Sequence, residues 1–279
     1  MSNKAELVDI TRSYYDSEDA DNFYFTIWGG EDIHVGLYEP GMSISDASKR
    51  TVRTMAEMLE GLSAAHKVLD MGAGYGGAAR YLAKTYGCHV TAFNLSEVEN
   101  ERDRKMTAEQ GLSDKVEVVG GNMEEMPFPD ESFDYVWCED AILHCAHKDN
   151  VFAEVNRVLK PGGEFIFTDP MQADVVEDMS MLEPILKRIH LEAMGSVALY
   201  KSYAQRHGWE LLAAREMPEQ LVNHYSNVHD QLTTNYERLQ ANCSQEYLDN
   251  MKRGLEHWVN GGKQGYLNWG ILHFRKPKA

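Results

Sequence analysis

The sequence predicts an α/β fold with a doubly wound, mostly parallel sheet, and three observations carry the prediction. Five short apolar runs of strand length alternate with segments of helical spacing between residues 67 and 168. Glycines stand where two of those helices should stop, at Gly87 and Gly111. The first run, Val68-Leu69-Asp70-Met71, passes directly into Gly72-Ala73-Gly74-Tyr75-Gly76, so a strand ends in a carboxylate and turns through glycines into a helix. Such alternation builds parallel strands joined by crossover helices on both faces.

The elements follow in order. Apolar residues recur at helical spacing from Ser45 to Leu62, with Gly61 near the stop. Strands are expected at Lys67–Met71, His89–Phe93, Lys115–Val119, Phe133–Cys138 and Glu164–Thr168. Helices are expected over Gly77–Tyr86, Glu97–Gln110 and Asp149–Leu159. The last hundred residues change rhythm. Helices are expected at Asp178–His190 and Ser196–His207, then a strand at Trp209–Glu216. A long charged helix spans about 219–259, broken near Asn242-Cys243-Ser244 and ended by Gly261-Gly262, before a final strand over Tyr266–Phe274. The late strands suggest an antiparallel pair at the sheet edge. Residues 1–44, rich in aromatics, are expected to form a lid, and 45–279 the cofactor-binding domain with a helical cap at about 218–262.

Composition bounds the function. With 27 Lys and Arg against 44 Asp and Glu the net charge is −17, the opposite of what phosphate backbones or anionic membranes attract. A 43% hydrophobic fraction supports a real core. Cys88, Cys138, Cys145 and Cys243 form no C-x-x-C pair, so reduced thiols are expected and a metal site is not. The chain opens on polar residues and holds no long apolar run, which suits a cytoplasmic monomer or weak homo-oligomer acting on a small molecule.

In doubly wound sheets, ligands sit beyond the carboxyl ends of the strands. The first end offers Asp70 with Gly72, Ala73 and Gly74; this G-x-G-x-G spacing departs from the dinucleotide pattern and points to S-adenosylmethionine, although a tight turn alone would also use glycine. The second offers Asn94 and Leu95 where a ribose-binding carboxylate is common. The third offers Asn122 and Met123, either an adenine site or a turn cap. At the fourth, Glu139 precedes Asp140 and His144, which one helical turn would place on one face, aimed at the reacting end of a cofactor. His144 is either that catalytic group or a structural histidine. Met171, after the fifth strand, either floors a substrate pocket or turns the chain.

Asp70–Gly76, Asn122-Met123, the Leu159-Lys160-Pro161-Gly162-Gly163 turn and the late strand pair resemble the class I S-adenosylmethionine-dependent methyltransferases, a Rossmann-like fold. The finer resemblance is to the sarcosine/dimethylglycine N-methyltransferases, which make glycine betaine. It rests on Tyr15-Asp16, Phe23–Gly29, Ile33–Gly36, Asp140–His144, Thr168–Met171, Asn223–Ser226, Met251–Trp258 and Phe274–Lys276. By similarity to the related phosphoethanolamine methyltransferases, the resemblance implies that Tyr15 and His144 latch over the site. Asp140 would then touch the amine, while Tyr24 and His34 hold the methionine end of the cofactor. The loop around Tyr15 is spaced differently from that pattern.

An N-methylated product is cationic, so an aromatic wall is expected, with Tyr24, Trp28, Tyr200 and Tyr225 as candidates. The substrate carboxylate needs a basic partner from among Arg188, Lys201, Arg206, Arg215 and Arg238. Four competing functions are phosphoethanolamine methylation, cyclopropane synthesis on lipid, nicotinamide oxidoreduction and non-catalytic cofactor binding. Clustered basic residues, an apolar tunnel, G-x-x-G spacing or the loss of the lid would favour each in turn.

Overall fold

In a computed structural model, residues 4–278 are described. Seven strands form one sheet in the order β3-β2-β1-β4-β5-β7-β6, namely β1 (Lys67–Met71), β2 (His89–Asn94), β3 (Val116–Gly120), β4 (Phe133–Glu139), β5 (Leu159–Gln172), β6 (Glu210–Glu216) and β7 (Leu267–Arg275). β1 to β5 pair in parallel, and β7 enters antiparallel between β5 and β6. The fold class read from the sequence is the one observed.

Side chains alternate between two apolar faces, as buried parallel strands require. Leu69, Val136, Cys138, Phe165 and Phe167 pack with Phe152 of α6 (Lys148–Val158) and Tyr200 of α8 (Val197–Arg206). Val68, Trp137 and Ile166 face the other way, against Val52 and Met55 of α3 (Ile44–Ala56) and Leu82 of α4 (Gly77–Tyr86). Gly87 and Gly111 both take left-handed φ, 73° and 70°, at the helix ends where the sequence places them. All four cysteines are buried.

Two helices precede α3, namely α1 (Lys4–Tyr15) and α2 (Glu18–Trp28). Between β6 and β7 come α9 (Pro218–Thr234), the short α10 (Tyr236–Leu239) and α11 (Gln245–Lys263). Phe23, Ile27 and Trp28 of α2 share one apolar cluster with Val228 and Leu232 of α9 and Leu248, Met251 and Leu255 of α11. The aromatic segment therefore packs on the late helices rather than on the sheet.

Four expectations change. The helix from Ser45 ends at Ala56, because the chain turns before Leu59 and Leu62 reach the core. β5 begins at Leu159, so the Pro161-Gly162-Gly163 turn lies within a strand; the Gly162 amide donates to the Lys276 carbonyl at 3.1 Å. Asp178–His190 is a 3₁₀ turn followed by only the short α7 (Glu183–Arg188). Gly261 and Gly262 do not stop their helix. A Cβ there would crowd Leu267 and Val222, so their smallness serves packing, and the left-handed residue is Gly265, φ 78°.

Candidate active site

The strand order reverses between β1 and β4, whose ends lie side by side with Asp70 opposite Trp137. Ligands of open sheets bind at such a switch point. A cavity opens there, lined by Asp70, Gly72, Ala73, Gly74, Asn94, Leu95, Asn122, Met123 and Glu139, nine of the sequence candidates from the strand ends, together with Asp140 and His144. A second cavity of about 590 Å³ is lined by Tyr24, Trp28, Tyr225 and Arg188, among others. The two share Thr11, Tyr15, Ile33, His34, Asp140 and His144, so they form two chambers with one common wall.

The first chamber is acidic. Asp70 is 2% exposed and its Oδ2 has no partner in the protein. Burial, then the charges of Glu139, Asp103 and Asp32, hold its pKa well above the usual carboxylate range. The glycines press against other elements rather than lying bare. Gly72 has φ 80° and a Cβ there would overlap Ala141, while a Cβ at Gly74 would come within 3.0 Å of Ile33.

Asn94 Nδ2 donates to Glu99 Oε2 at 2.8 Å. Glu99, in the first turn of α5 (Glu97–Glu109), lines the chamber and is only 4% exposed; burial lifts its pKa to about 7. The carboxylate missing from the end of β2 therefore arrives five residues later. Sequence reasoning missed it, though Ser96-Glu97-Val98-Glu99 fits a capping box, and Ser96 Oγ accepts from the Glu99 amide. Asn122 Oδ1 accepts from the Glu124 amide at 3.0 Å, so it caps its own turn while also facing the chamber.

His34 lies in the common wall. Its Nδ1 bonds the Val35 carbonyl at 3.1 Å, and its Nε2 lies 3.4 Å from Glu139 Oε1 and 3.8 Å from Asp32 Oδ1. Burial opposes its charging, but Glu139 and Asp32 outweigh that and raise its pKa to about 10. His34 is thus an imidazolium.

Asp140 and His144 both face the junction, though not on one helical turn. Asp140 takes φ 52° and a 3₁₀ turn over Ile142–His144 follows. Asp140 Oδ1 accepts from the Trp269 indole at 2.8 Å, and Oδ2 from the Val35 amide at 2.6 Å. His144 Nε2 shares a 2.9 Å hydrogen bond with the Tyr15 hydroxyl. Burial and the nearby Lys148 ammonium depress the His144 pKa to about 4, leaving it neutral. Burial raises Tyr15 well above the usual phenol range, so its proton stays on.

Aromatic rings wall the second chamber. Tyr24 and Trp28 have centroids 4.9 Å apart, Trp28 and His224 5.3 Å, and Tyr225 and Trp258 5.0 Å. Two candidates do not belong to it. Tyr200 is fully buried beneath the sheet, stacked on Phe152, with its hydroxyl donating to Asp169 at 2.5 Å. Met171 is also fully buried in that core, because its place on β5 points it away from the chambers. Of the five basic candidates, only Arg188 lines the cavity. Among the described residues no cluster of His, Cys, Asp or Glu is arranged to hold a metal, and no helix is long and apolar enough to cross a membrane.

A family model for a methyltransferase domain matches residues 69–167, the stretch from β1 to β5. The chain is 52% identical to a sarcosine/dimethylglycine N-methyltransferase of Aphanothece halophytica, over 95% of this chain and 96% of that one. It is 51% identical to an enzyme of the same name from Halorhodospira halochloris, over 97% of each. A crystal structure from Galdieria sulphuraria, provisionally assigned as a sarcosine dimethylglycine methyltransferase, superimposes with a TM-score of 0.90 at 44% identity, covering 95% of this chain and 100% of that one. With such identity along nearly the whole of both chains, this protein belongs to the sarcosine/dimethylglycine N-methyltransferase family.

Proposed function

We propose that this chain is an S-adenosylmethionine-dependent N-methyltransferase that converts sarcosine to dimethylglycine and dimethylglycine to glycine betaine. The observation that carries this reading is the pair of chambers meeting at Tyr15, His34, Asp140 and His144. One chamber suits a nucleoside with a cationic centre, and the other suits a small alkylamine.

The first chamber fits the cofactor on charge. Asp32, Asp70, Glu99, Glu124 and Glu139 all line it, and Asp70 Oδ2 has no protein donor. Such a lining attracts ammonium and sulfonium groups and hydroxyl donors, and repels the pyrophosphate of a dinucleotide. Asp70 and Glu99 would hold the cofactor's amino-acid end and ribose between them, with Met123 and Leu95 against the base. When bound, the cofactor supplies an electrophilic methyl.

The chain's own residues prepare the amine. An alkylammonium entering the junction meets the Asp140 carboxylate, whose two oxygens are already fixed by Trp269 and Val35 and keep lone pairs for further N–H donors. Neutral His144, with its pKa held at about 4, adds no competing charge. It is too weak a base to hold the amine proton, so the nitrogen lone pair is freed mainly by burial. The lid excludes water, which keeps the unprotonated amine favoured. The rings of Tyr24, Trp28 and Tyr225 line the same chamber and would stabilise a quaternary product by about 0.5–2 kcal/mol per contact. Sarcosine yields a tertiary ammonium with a proton to lose afterwards; dimethylglycine yields a quaternary one with none.

The test is direct. Purified protein is incubated with methyl-labelled S-adenosylmethionine and, separately, glycine, sarcosine, dimethylglycine and phosphoethanolamine. Label in sarcosine and dimethylglycine is expected; label in phosphoethanolamine alone, or in none, refutes the reading.

A further inference from the structure

The amine chamber contains an arginine with no anion. Arg188 ends α7, and its Nη1 donates to the Asn250 carbonyl at 2.9 Å while Nη2 lies 3.1 Å from the Met251 sulfur. Sulfur is a weak acceptor and the Tyr14 hydroxyl, its other side-chain partner, is neutral, so the guanidinium meets no charged partner. Among the described residues no carboxylate pairs with it, in a chain carrying 44 Asp and Glu. Helix α11 makes room for it, because a Cβ at Gly254 would overlap the guanidinium.

Two further donors in the same chamber lack acceptors. Buried His224 receives the Gly36 backbone N–H on Nδ1 at 3.2 Å. A backbone amide can only donate, so Nδ1 carries the lone pair and Nε2 carries the hydrogen. That Nε2–H is buried with no partner in the protein, and so is the indole N–H of neighbouring Trp28. Orphaned buried N–H groups are rare and costly, so each calls for an acceptor. His224 also stands close to the reacting end: Val35 gives its amide to Asp140, and the next residue, Gly36, gives its amide to His224. A chamber that offers cation and donors but no free acceptor at these positions is built for an anion.

We propose that Arg188 and the His224 Nε2–H receive the carboxylate of the amino-acid substrate, with the Trp28 indole N–H beside them, and that Arg188 selects carboxylate-bearing amines over neutral ones. This rests on the methyltransferase reading above, and the experiment separates the two. Glycine betaine and choline serve as dead-end ligands, alike in their trimethylammonium group and different in carboxylate against hydroxymethyl. Calorimetric titration is run with S-adenosylhomocysteine present, on wild type, Arg188→Met, Arg188→Lys and His224→Phe, beside a thermal melt and the KM for dimethylglycine.

Wild type is expected to bind betaine more tightly than choline. Arg188→Met should weaken betaine roughly tenfold or more and leave choline within about twofold, with Arg188→Lys intermediate. The KM for dimethylglycine should rise more than kcat falls. If Arg188→Met does not fold, Arg188→Lys carries the comparison. Equal losses for betaine and choline would mean that Arg188 only braces the lid, and unchanged betaine affinity would remove it from the site; either overturns the proposal. An unchanged betaine affinity in a folded His224→Phe protein overturns the second donor. Failure to label dimethylglycine would instead refute the reaction, without touching these binding ratios.

Discussion

The Tyr15 hydroxyl and His144 Nε2 stand 2.9 Å apart across 129 residues of sequence, joining the end of α1 to the turn that follows β4. The same N-terminal segment is held at two other points. Ser96 donates to Asp16 at 2.6 Å, and Arg102 clasps Asp21 while lying 4.4 Å over the Phe25 ring. The aromatic segment is thus bonded to the common wall of the two chambers and to the N-terminal half of α5 beside the first.

Tyr15→Phe should keep the ring contacts and lose only the bond to His144. A net hydrogen bond is worth about 0.5–1.5 kcal/mol, so turnover of dimethylglycine should fall roughly two- to tenfold with little change in melting temperature. Steady-state kinetics checks this, and full activity would show that the bond does not align the site.

Asp140→Asn should harm both fold and rate. Each Asp140 oxygen accepts from a fixed N–H, so an amide nitrogen must face either Trp269 or Val35, donor against donor. One unsatisfied buried donor costs about 1–3 kcal/mol. A lowered melting temperature and a large loss of kcat are expected together; a variant that melts like wild type would mean that the two donors find other acceptors.

Glu99 should set how cofactor affinity depends on pH. Its carboxyl is lifted to about 7, and ligand hydroxyls donate best to the ionised form. Affinity for S-adenosylhomocysteine should therefore rise with pH through about 7, with protons released on binding below that. Glu99→Gln should weaken binding roughly tenfold and flatten the dependence. Titrations in buffers of different ionisation enthalpy measure both effects.

Stability should drain on the acid side. His144 and His224 are held at about 4 and about 3 in the fold, against 6.5 for an ordinary imidazole. The unfolded chain therefore takes up protons first as pH falls below about 6.5. The contribution of both residues is complete above that value and is lost on the way down to about 4 and then 3. His144→Gln should reduce the slope of melting temperature against pH in this window. An identical slope would mean that His144 titrates normally in the fold.

Much of the sheet was legible because β1 to β4 are short apolar runs, and two of the helices between them stop at glycines with positive φ, Gly87 and Gly111. The glycine turn and strand ends named eleven residues of the first chamber, because in this topology chemistry sits where strands stop. The second chamber was harder to read. Its walls come from helices far apart in sequence, and periodicity does not say which face of β5 or α8 meets a ligand, so Met171 and Tyr200 were misplaced. Glu99 was hidden because α5 is polar throughout, and a glutamate there looks like one more solvated charge. Arg188 stood among five equivalent cations until the fold showed which one lines the second cavity.

Thr11 and Tyr15 of α1 belong to the wall of both chambers, so one helix is the door to two rooms. If the proposed reaction holds, spent nucleoside must leave between the first methylation and the second. Lifting that door to release it also uncovers the amine. Dimethylglycine would then escape between rounds, making the chain a distributive catalyst whose intermediate accumulates free in solution before betaine appears.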